Sequence, residues 1–406
     1  MKLAIVVQRY GLQINGGAEL HARQLAEKLK QKHDVSVITT KAESYIVWDN
    51  NIDTDYEEIN GIKVHRFASG KKNKKATDRL WRQLRNYSKI PIFLRRIGWN
   101  KLANSDRFLL TPIFKWWQRH QGPYCPDMIE YIRQHKNDYD VFIFFTYLYY
   151  PTNSGLPVVA EKSLLIPTAH DEKPFYFPNF KRIFQKVKFI MYNSLSEKLL
   201  VEKTYPDAKK VKNDIAGVGI DFPEFKIGEK PIDQDYFIYI GRIDTAKNVH
   251  QLVEWFAEYS KDKDVRLVLV GKNDGSDITG NDKMIFTGFV SDEEKNNWLY
   301  HSKAMIIPSK FESLSMVTLE AMQMKKIVIA NKECDVLAEH IKVSKGGFAY
   351  ENYEHFTRIL DNILNMSEEE RLKIGENGQK YVQENYQWDK ILQKFDKAFQ
   401  YIKENQ

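Results

Sequence analysis

The chain holds two cysteines in 406 residues, Cys125 and Cys334. Two thiols cannot build a disulfide framework, and these lack metal-ligand spacing, so a reducing compartment is expected. Long apolar runs are missing too. The longest strongly apolar stretch, residues 141–151, is about half of what a membrane helix needs. Residues 1–7 are too short an apolar run for a signal peptide and lead straight into polar sequence. The expectation is a cytoplasmic protein, at most peripheral at the inner face of the plasma membrane. No Gly-x-Gly-x-x-Gly follows the first apolar run, which argues against a nicotinamide-dependent enzyme. The strings Asp53-Thr-Asp55 and Asp138-Tyr-Asp140 have no ligand cluster around them, so no metal site is expected.

Charge of one sign is abundant in one place. Between Lys71 and Arg119 stand fourteen Lys/Arg and two acids, +12 in a chain whose total is +7, so the rest carries −5. Four of the eight tryptophans, Trp81, Trp99, Trp116 and Trp117, lie in the same stretch. Basic residues mixed with aromatics suit an anionic lipid surface, and less well a nucleic-acid backbone. They equally suit a helical insertion whose aromatics are core and whose cations are solvated. An anionic membrane surface is carried forward as an expected partner and nucleic acid is not. Leu80, Leu84, Ile90, Ile92, Phe93, Leu94 and Ile97 would supply the apolar surface. Trp99, Trp116 and Trp117 would sit at the interface, with Arg79, Arg82, Arg85, Arg95 and Arg96 around them.

At this length two domains are the natural expectation. Residues 2–8 form a short apolar run, then a Gly-containing loop. Ala18, Leu20, Ala22, Leu25, Ala26 and Leu29 then recur at helical spacing before another strand at 34–40. That is a β-loop-α-β unit of the Rossmann kind. Further strands are predicted at 61–68, 140–146, 164–168 and 189–193. A second alternating series starts near Tyr236, with strands at 236–240, 266–270, 284–287, 304–307 and 327–330. Helices are predicted at 248–261, 292–301, 315–325 and 336–341. The Gly-rich stretch Asp214-Ile-Ala-Gly-Val-Gly-Ile-Asp221 reads as the hinge between them. The division expected is 1–215, with a basic and aromatic insertion at about 71–120, then 216–386, then a terminal helix over 387–406.

Residues 312–320 read Glu312-Ser-Leu-Ser-Met-Val-Thr-Leu-Glu320, astride a predicted helix start just after an apolar strand. A helix N-terminus offers backbone N–H groups and a positive dipole end to a diphosphate. Carboxylates on either side accept hydrogen bonds from hydroxyls. Glu312 would hold a sugar hydroxyl, Glu320 a ribose diol, and Ser313 or Ser315 would cap the helix. Taken alone, the nine residues fit an ordinary capped helix with a solvated glutamate equally well. Arg242 and Lys247 lie just past a strand's C-terminal end, where open α/β sheets bind ligands. Two cations there would bracket a diphosphate and stabilise its growing charge. His170 follows the apolar run 164–166, with Asp171 and Glu172 beside it as tautomer-fixing partners or acceptor-binding groups.

Several motifs together resemble retaining GT-B glycosyltransferases of family 4, also called glycosyl transferases group 1. They are Asn15-Gly-Gly-Ala-Glu19, Tyr239-Ile-Gly-Arg-Ile-Asp-Thr-Ala-Lys-Asn248, Val270-Gly271, Phe286-Thr-Gly-Phe-Val290, Pro308-Ser309 and the paired glutamates Glu312 and Glu320, with Trp388 near the C-terminus. The family's Pro-Asn-Gly-Val-Asp hinge is replaced by Ala216-Gly217-Val218-Gly-Ile-Asp221. The resemblance implies an α/β, GT-B fold: two Rossmann-like domains facing across a cleft, the C-terminal helix crossing back to the first. It implies a nucleotide-sugar donor held by Gly16, Gly17, Gly241, Arg242, Lys247, Gly271, Val290, Glu312, Leu314, Ser315, Met316 and Glu320. His170, Glu312, Arg242 and Lys247 would be catalytic, and Asp171 and Glu172 acceptor-binding. Sugar would pass with retention to a glycan or lipid-linked acceptor, in bacterial surface polysaccharide synthesis, with no cofactor and no metal. The alternatives left open are a GT-B nucleotide-sugar epimerase or phosphorylase, and a non-catalytic protein that binds anionic surfaces through the basic stretch.

Overall fold

The computed structural model describes residues 1–14, 16–87, 110–221, 226–273 and 278–406. The chain divides into two compact units, Met1–Gly217 with Leu392–Gln406, and Val218–Ile391.

The first unit is built on β1 (Lys2–Val6), β2 (Asp34–Thr40), β3 (Tyr56–Ile59), β4 (Ile62–Phe67), β5 (Val141–Phe145), β6 (Ser163–Ile166), β7 (Phe189–Tyr192) and β8 (Lys212–Ile215). Among the described residues they form one sheet in the order β3-β4-β2-β1-β5-β6-β7-β8. All pairs are parallel except β3 with β4. That hairpin turns at Asn60 and Gly61, both at positive φ (50° and 72°). Asn-Gly is the pair a two-residue turn of this hand favours. β3 was not expected from the sequence. Helices of this unit are α1 (Gly17–Leu29), α2 (Lys74–Tyr87), α3 (Leu110–Gln121), α4 (Pro126–Gln134), α5 (Lys181–Lys186) and α6 (Leu195–Thr204). The central strand β5 is apolar throughout, and β1 is apolar after its exposed Lys2, because helices cover both sheet faces.

In the second unit β9 (Asp235–Ile240), β10 (Val265–Val270), β11 (Met284–Gly288), β12 (Met305–Ile307), β13 (Val328–Asn331) and β14 (Gly347–Tyr350) alternate with α7 (Val249–Tyr259), α8 (Asp292–His301), α9 (Met316–Gln323), α10 (Asp335–Ser344), α11 (Tyr353–Asn365) and α12 (Glu368–Asn385). The sheet order is β11-β10-β9-β12-β13-β14, all parallel. This is the doubly wound order, in which the chain reverses direction between the first strand and the fourth, here β9 and β12. Ligands of such sheets bind past the strand ends at that reversal.

The last helix, α13 (Trp388–Glu404), belongs to both units. Trp388, Ile391, Leu392, Phe395, Ala398, Phe399 and Ile402 are buried at three- and four-residue spacing, one apolar stripe. Trp388 lies against Gly219, where a Cβ would stand 2.2 Å from the indole. From Leu392 onward the helix packs on the first unit. Asp396 meets His33 at 3.1 Å, Lys394 Nζ donates to the Ile215 carbonyl at 2.6 Å, and Tyr401 packs on Phe189.

Candidate active site

In the second unit the side chains singled out from the sequence collect at the reversal point. The loop after β9 carries Gly241, Arg242 and Lys247. The loop after β12 carries Glu312 and leads into α9. Lys247 Nζ stands 2.7 Å from Glu312 Oε1, a charge-assisted bond between residues 65 apart in sequence. Arg242 pairs with Asp244 at 3.3 Å, and Asp244 Oδ1 also accepts the Lys247 backbone N–H at 2.8 Å. Asn248, at φ 60°, donates to the Pro308 carbonyl at 3.1 Å, as Asn331 does. These amides tie the β12 exit to the β9 loop, through Asn248, and to the end of β13, through Asn331. The result is a cationic loop and a carboxylate held side by side, with α9 beginning directly after.

Glycines let the loops come this close. Gly241 and Gly271 have φ of 152° and 145°, and a Cβ on Gly271 would lie 1.9 Å from the Gly241 carbonyl. No side chain fits there. The Gly271 N–H donates to the Gly288 carbonyl at 2.9 Å. Val290 is half-buried in the loop that follows, beside the exposed Phe289 (72%).

The start of α9 departs from expectation. Ser315 occupies the cap position, but at φ 62° and ψ 73°, and its side chain makes no capping bond. Its Oγ pairs with Thr318 Oγ1 at 2.8 Å, because in the left-handed conformation the hydroxyl meets its neighbour's side chain rather than a backbone N–H. Ser313 does not cap either, lying two residues further back. Leu314 and Ser315 are buried and Met316 is half-buried, all in the turn that opens α9. Glu320 lies one turn along α9 and is reached by Lys295 of α8 at 3.5 Å, while Lys295 also holds Asp292 at 2.9 Å. Lys295 was not anticipated. Its partner is 25 positions away on another helix, and nothing in its own neighbourhood signals the contact.

In the first unit Gly16 and Gly17 open α1 beside the β1–β5 reversal. A Cβ on Gly16 would clash with Glu19 Oε2 at 2.2 Å, whereas Gly17 has open space around it. Glu19 turns inward. Its Oε1 accepts from Arg9 Nη2 at 2.7 Å and from Gln8 Nε2 at 3.0 Å, all three side chains being buried. This buried pair anchors the glycine loop from below, a role the sequence did not reveal. Asn15 lies outside the described residues.

His170 follows β6, with Thr168 at φ 49° just before it. Glu172 is its carboxylate neighbour, at 3.6 Å from Nε2, and is itself fixed by the buried Tyr147 hydroxyl at 2.6 Å. Asp171 instead accepts from Tyr176 at 2.7 Å. The loop is held by Glu197 of α6, fully buried, whose oxygens accept the Ala169 N–H at 2.5 Å and the Asn193 N–H at 2.6 Å. Burial pushes its carboxyl up to about 8, against the opposing pull of those two amides.

The basic stretch is helical at both ends, α2 and α3, which pack on each other. Its apolar residues divide. Leu80, Leu84 and Trp117 were expected to face lipid, but they join the first unit's core, and Trp81 packs on Phe177 at 4.9 Å. An amphipathic face cannot show from sequence whether it meets core or lipid. Trp116 is 65% exposed, with Lys74, Lys75, Arg79, Arg82, Lys115 and Arg119 exposed as well. The Arg85 side chain and residues Ile90, Ile92, Phe93, Leu94, Arg95, Arg96, Ile97 and Trp99 lie outside what the structure describes. Among the described residues no cluster of His, Cys, Asp or Glu could hold a metal ion, and no helix is long and apolar enough to cross a membrane.

Residues 221–381 match the family model described as Glycosyl transferases group 1. The uncharacterized glycosyltransferase MJ1607 of Methanocaldococcus jannaschii is 22% identical, over 96% of each chain. Other curated relatives match over between 28% and 60% of their own length. Among solved structures, sucrose-phosphate synthase from Thermosynechococcus elongatus superposes with a TM-score of 0.67 at 17% identity, covering 98% of both chains. Anabaena Alr3699/HepE in complex with UDP-glucose superposes with a TM-score of 0.67 at 15% identity, covering 98% of this chain and 99% of that one. The fold is a two-domain GT-B fold. The family match and the relatives support a glycosyltransferase.

Proposed function

We propose that this chain is a retaining, metal-independent glycosyltransferase of family 4, moving a hexosyl group from a nucleotide sugar to a glycan or lipid-linked acceptor in bacterial surface polysaccharide synthesis. The observation that carries the reading is the Lys247–Glu312 pair at the β9–β12 reversal, with Arg242 beside it and α9 starting next to it. A sugar diphosphate needs this combination. Cations and a helix N-terminus meet the diphosphate, and a carboxylate meets the sugar hydroxyls.

Arg242, Lys247 and the first turn of α9 stabilise the charge that grows on the diphosphate as the anomeric C–O bond breaks. Glu312 orients the sugar while still paired with Lys247, and Glu320 takes the ribose diol in exchange for its contact with Lys295. The acceptor hydroxyl adds to the same face of the sugar, and its proton goes to a leaving-diphosphate oxygen. No protein nucleophile is invoked, so the paired-carboxylate scheme of glycoside hydrolases is not transferred. His170, placed by Glu172 and the Glu197-held loop, and Asp171 serve the acceptor. The exposed cations around Trp116 hold the protein peripherally on an anionic leaflet, at the cytoplasmic face, where a lipid-linked acceptor would be presented.

Thermal shift against UDP-, GDP- and ADP-sugars tests the donor, since a ligand at about 100 times its Kd adds roughly 2.7 kcal/mol of stability. UDP-glucose, the ligand of the HepE structure, is the first to try. NMR of the product's anomeric configuration then tests retention. A panel with no shift and no turnover would refute the reading, and an inverted product would refute retention.

A further inference from the structure

His340 sits on α10, 1% exposed, with both ring nitrogens engaged. Nε2 lies 2.8 Å from the Leu314 carbonyl, and Nδ1 lies 3.0 Å from the Tyr381 hydroxyl. The Tyr381 hydroxyl is 3.1 Å from the Tyr386 hydroxyl. A carbonyl can only accept, so Nε2 carries the ring proton and donates it to Leu314. Nδ1 is then an acceptor, so Tyr381 donates to it. Tyr386 in turn donates to Tyr381. The three side chains form a relay of one polarity that ends on a single backbone oxygen. Burial disfavours the charged imidazolium, consistent with a neutral ring. Tyr386 is itself fixed, since its own carbonyl accepts the Ile220 N–H at 2.8 Å.

The oxygen at the end of the relay belongs to the peptide that joins Leu314 to Ser315. A trans peptide is planar, with C=O and N–H pointing in opposite directions. Holding the Leu314 carbonyl therefore sets the direction of the Ser315 N–H. It also fixes one side of the φ bond of Ser315, which stands in the left-handed region that a serine rarely adopts. That turn decides how the first amides of α9 are presented.

We propose that His340 is a positioning residue for the donor diphosphate, acting through the Leu314–Ser315 peptide. This rests on the reading of residues 312–320 as the donor site. His340 touches no substrate, and its effect is on the diphosphate alone.

The test compares His340→Gln with His340→Asn in the full chain. The Gln amide nitrogen reaches about as far as Nε2 and can still donate to Leu314. The Asn amide stops near the position of Nδ1 and cannot. Calorimetry is run with UDP, GDP and ADP and with the corresponding nucleosides. The expected result is a loss of about tenfold or more in diphosphate affinity for His340→Asn, about threefold or less for His340→Gln, and nucleoside affinity unchanged in both, because only the diphosphate contacts are disturbed. KM for the sugar nucleotide should follow the diphosphate affinity. Equal diphosphate affinity in the two folded variants would overturn the inference, as would a parallel loss of nucleoside binding. Should His340→Asn fail to fold, Tyr381→Phe decides by the same criterion: selective loss of diphosphate affinity supports the relay, and unchanged affinity overturns it. A wild-type chain that binds none of the three diphosphates would instead overturn the donor-site reading, and the inference with it.

Discussion

Lys247 Nζ and Glu312 Oε1 are 2.7 Å apart, so the cation proposed for the diphosphate and the carboxylate proposed for the sugar hold each other. Each keeps the other in the site. The pair is partly solvated, so its own contribution to stability is small. Its value lies in pre-setting two groups that would otherwise be ordered during binding.

Lys247→Ala and Glu320→Ala are expected to fold normally and to lose donor turnover by about 10²–10³, the cost of one charge-assisted transition-state contact. Melting temperature and kcat/KM of each variant check this. Near-wild-type kcat/KM in either would remove that residue from the site.

Glu312→Ala should separate the two halves of the donor. With its partner gone, Lys247 is released toward the diphosphate, so nucleoside diphosphate affinity should hold or rise while sugar-nucleotide turnover falls about 10²-fold or more. A matching loss of affinity for the diphosphate alone would contradict it.

Turnover is expected to survive EDTA, because in the proposed site Arg242, Lys247 and the α9 N-terminus would supply the positive field. Loss of activity on chelation, restored by Mg²⁺ or Mn²⁺, would assign that field to a metal instead.

Glu197 predicts a pH dependence of stability. Its folded pKa, about 8, lies above the ordinary carboxyl value of 4.5, so folding favours the protonated form. The stability it contributes is present below about pH 4.5 and is lost as pH rises through about 8. Glu197→Gln cannot ionise and should be less pH-sensitive than wild type across that window, at a fixed cost from losing one acceptor. Urea unfolding at both ends of the window measures the difference. Parallel pH profiles would show that Glu197 does not titrate there.

Trp116→Ala and a paired Arg79→Glu/Arg82→Glu change should reduce flotation with anionic liposomes, each cation contributing about 1 kcal/mol near such a surface. Added salt should weaken the wild-type interaction. Equal, negligible flotation with anionic and neutral vesicles would favour a soluble acceptor.

The sheets were legible because strands buried on both faces read as continuous apolar runs, as in Val141–Phe145 and in Leu267–Val270 of β10. That the loops after β9 and β12 would meet was legible because loops at strand ends come together at the reversal of a doubly wound sheet, and the structure brings Lys247 to Glu312. What escaped depends on partners far away in sequence. Arg9 gave no sign that it would bury its charge on Glu19, and Lys295 none that it would reach Glu320. Ser315 takes the cap position without a capping bond, and its left-handed backbone leaves no mark in the sequence. β3 escaped despite the Asn60-Gly61 turn, because Tyr56–Ile59 is a short edge strand with one buried residue.

The shared helix α13 also sets an order of assembly. The first unit's sheet is complete by residue 215, yet the face that receives Phe395, Phe399 and Ile402 has no cover until the whole of residues 218–391 has been synthesised. On the ribosome, the half made first is therefore the half finished last. Its exposed apolar seam would then be a place for a chaperone to act while the second unit folds.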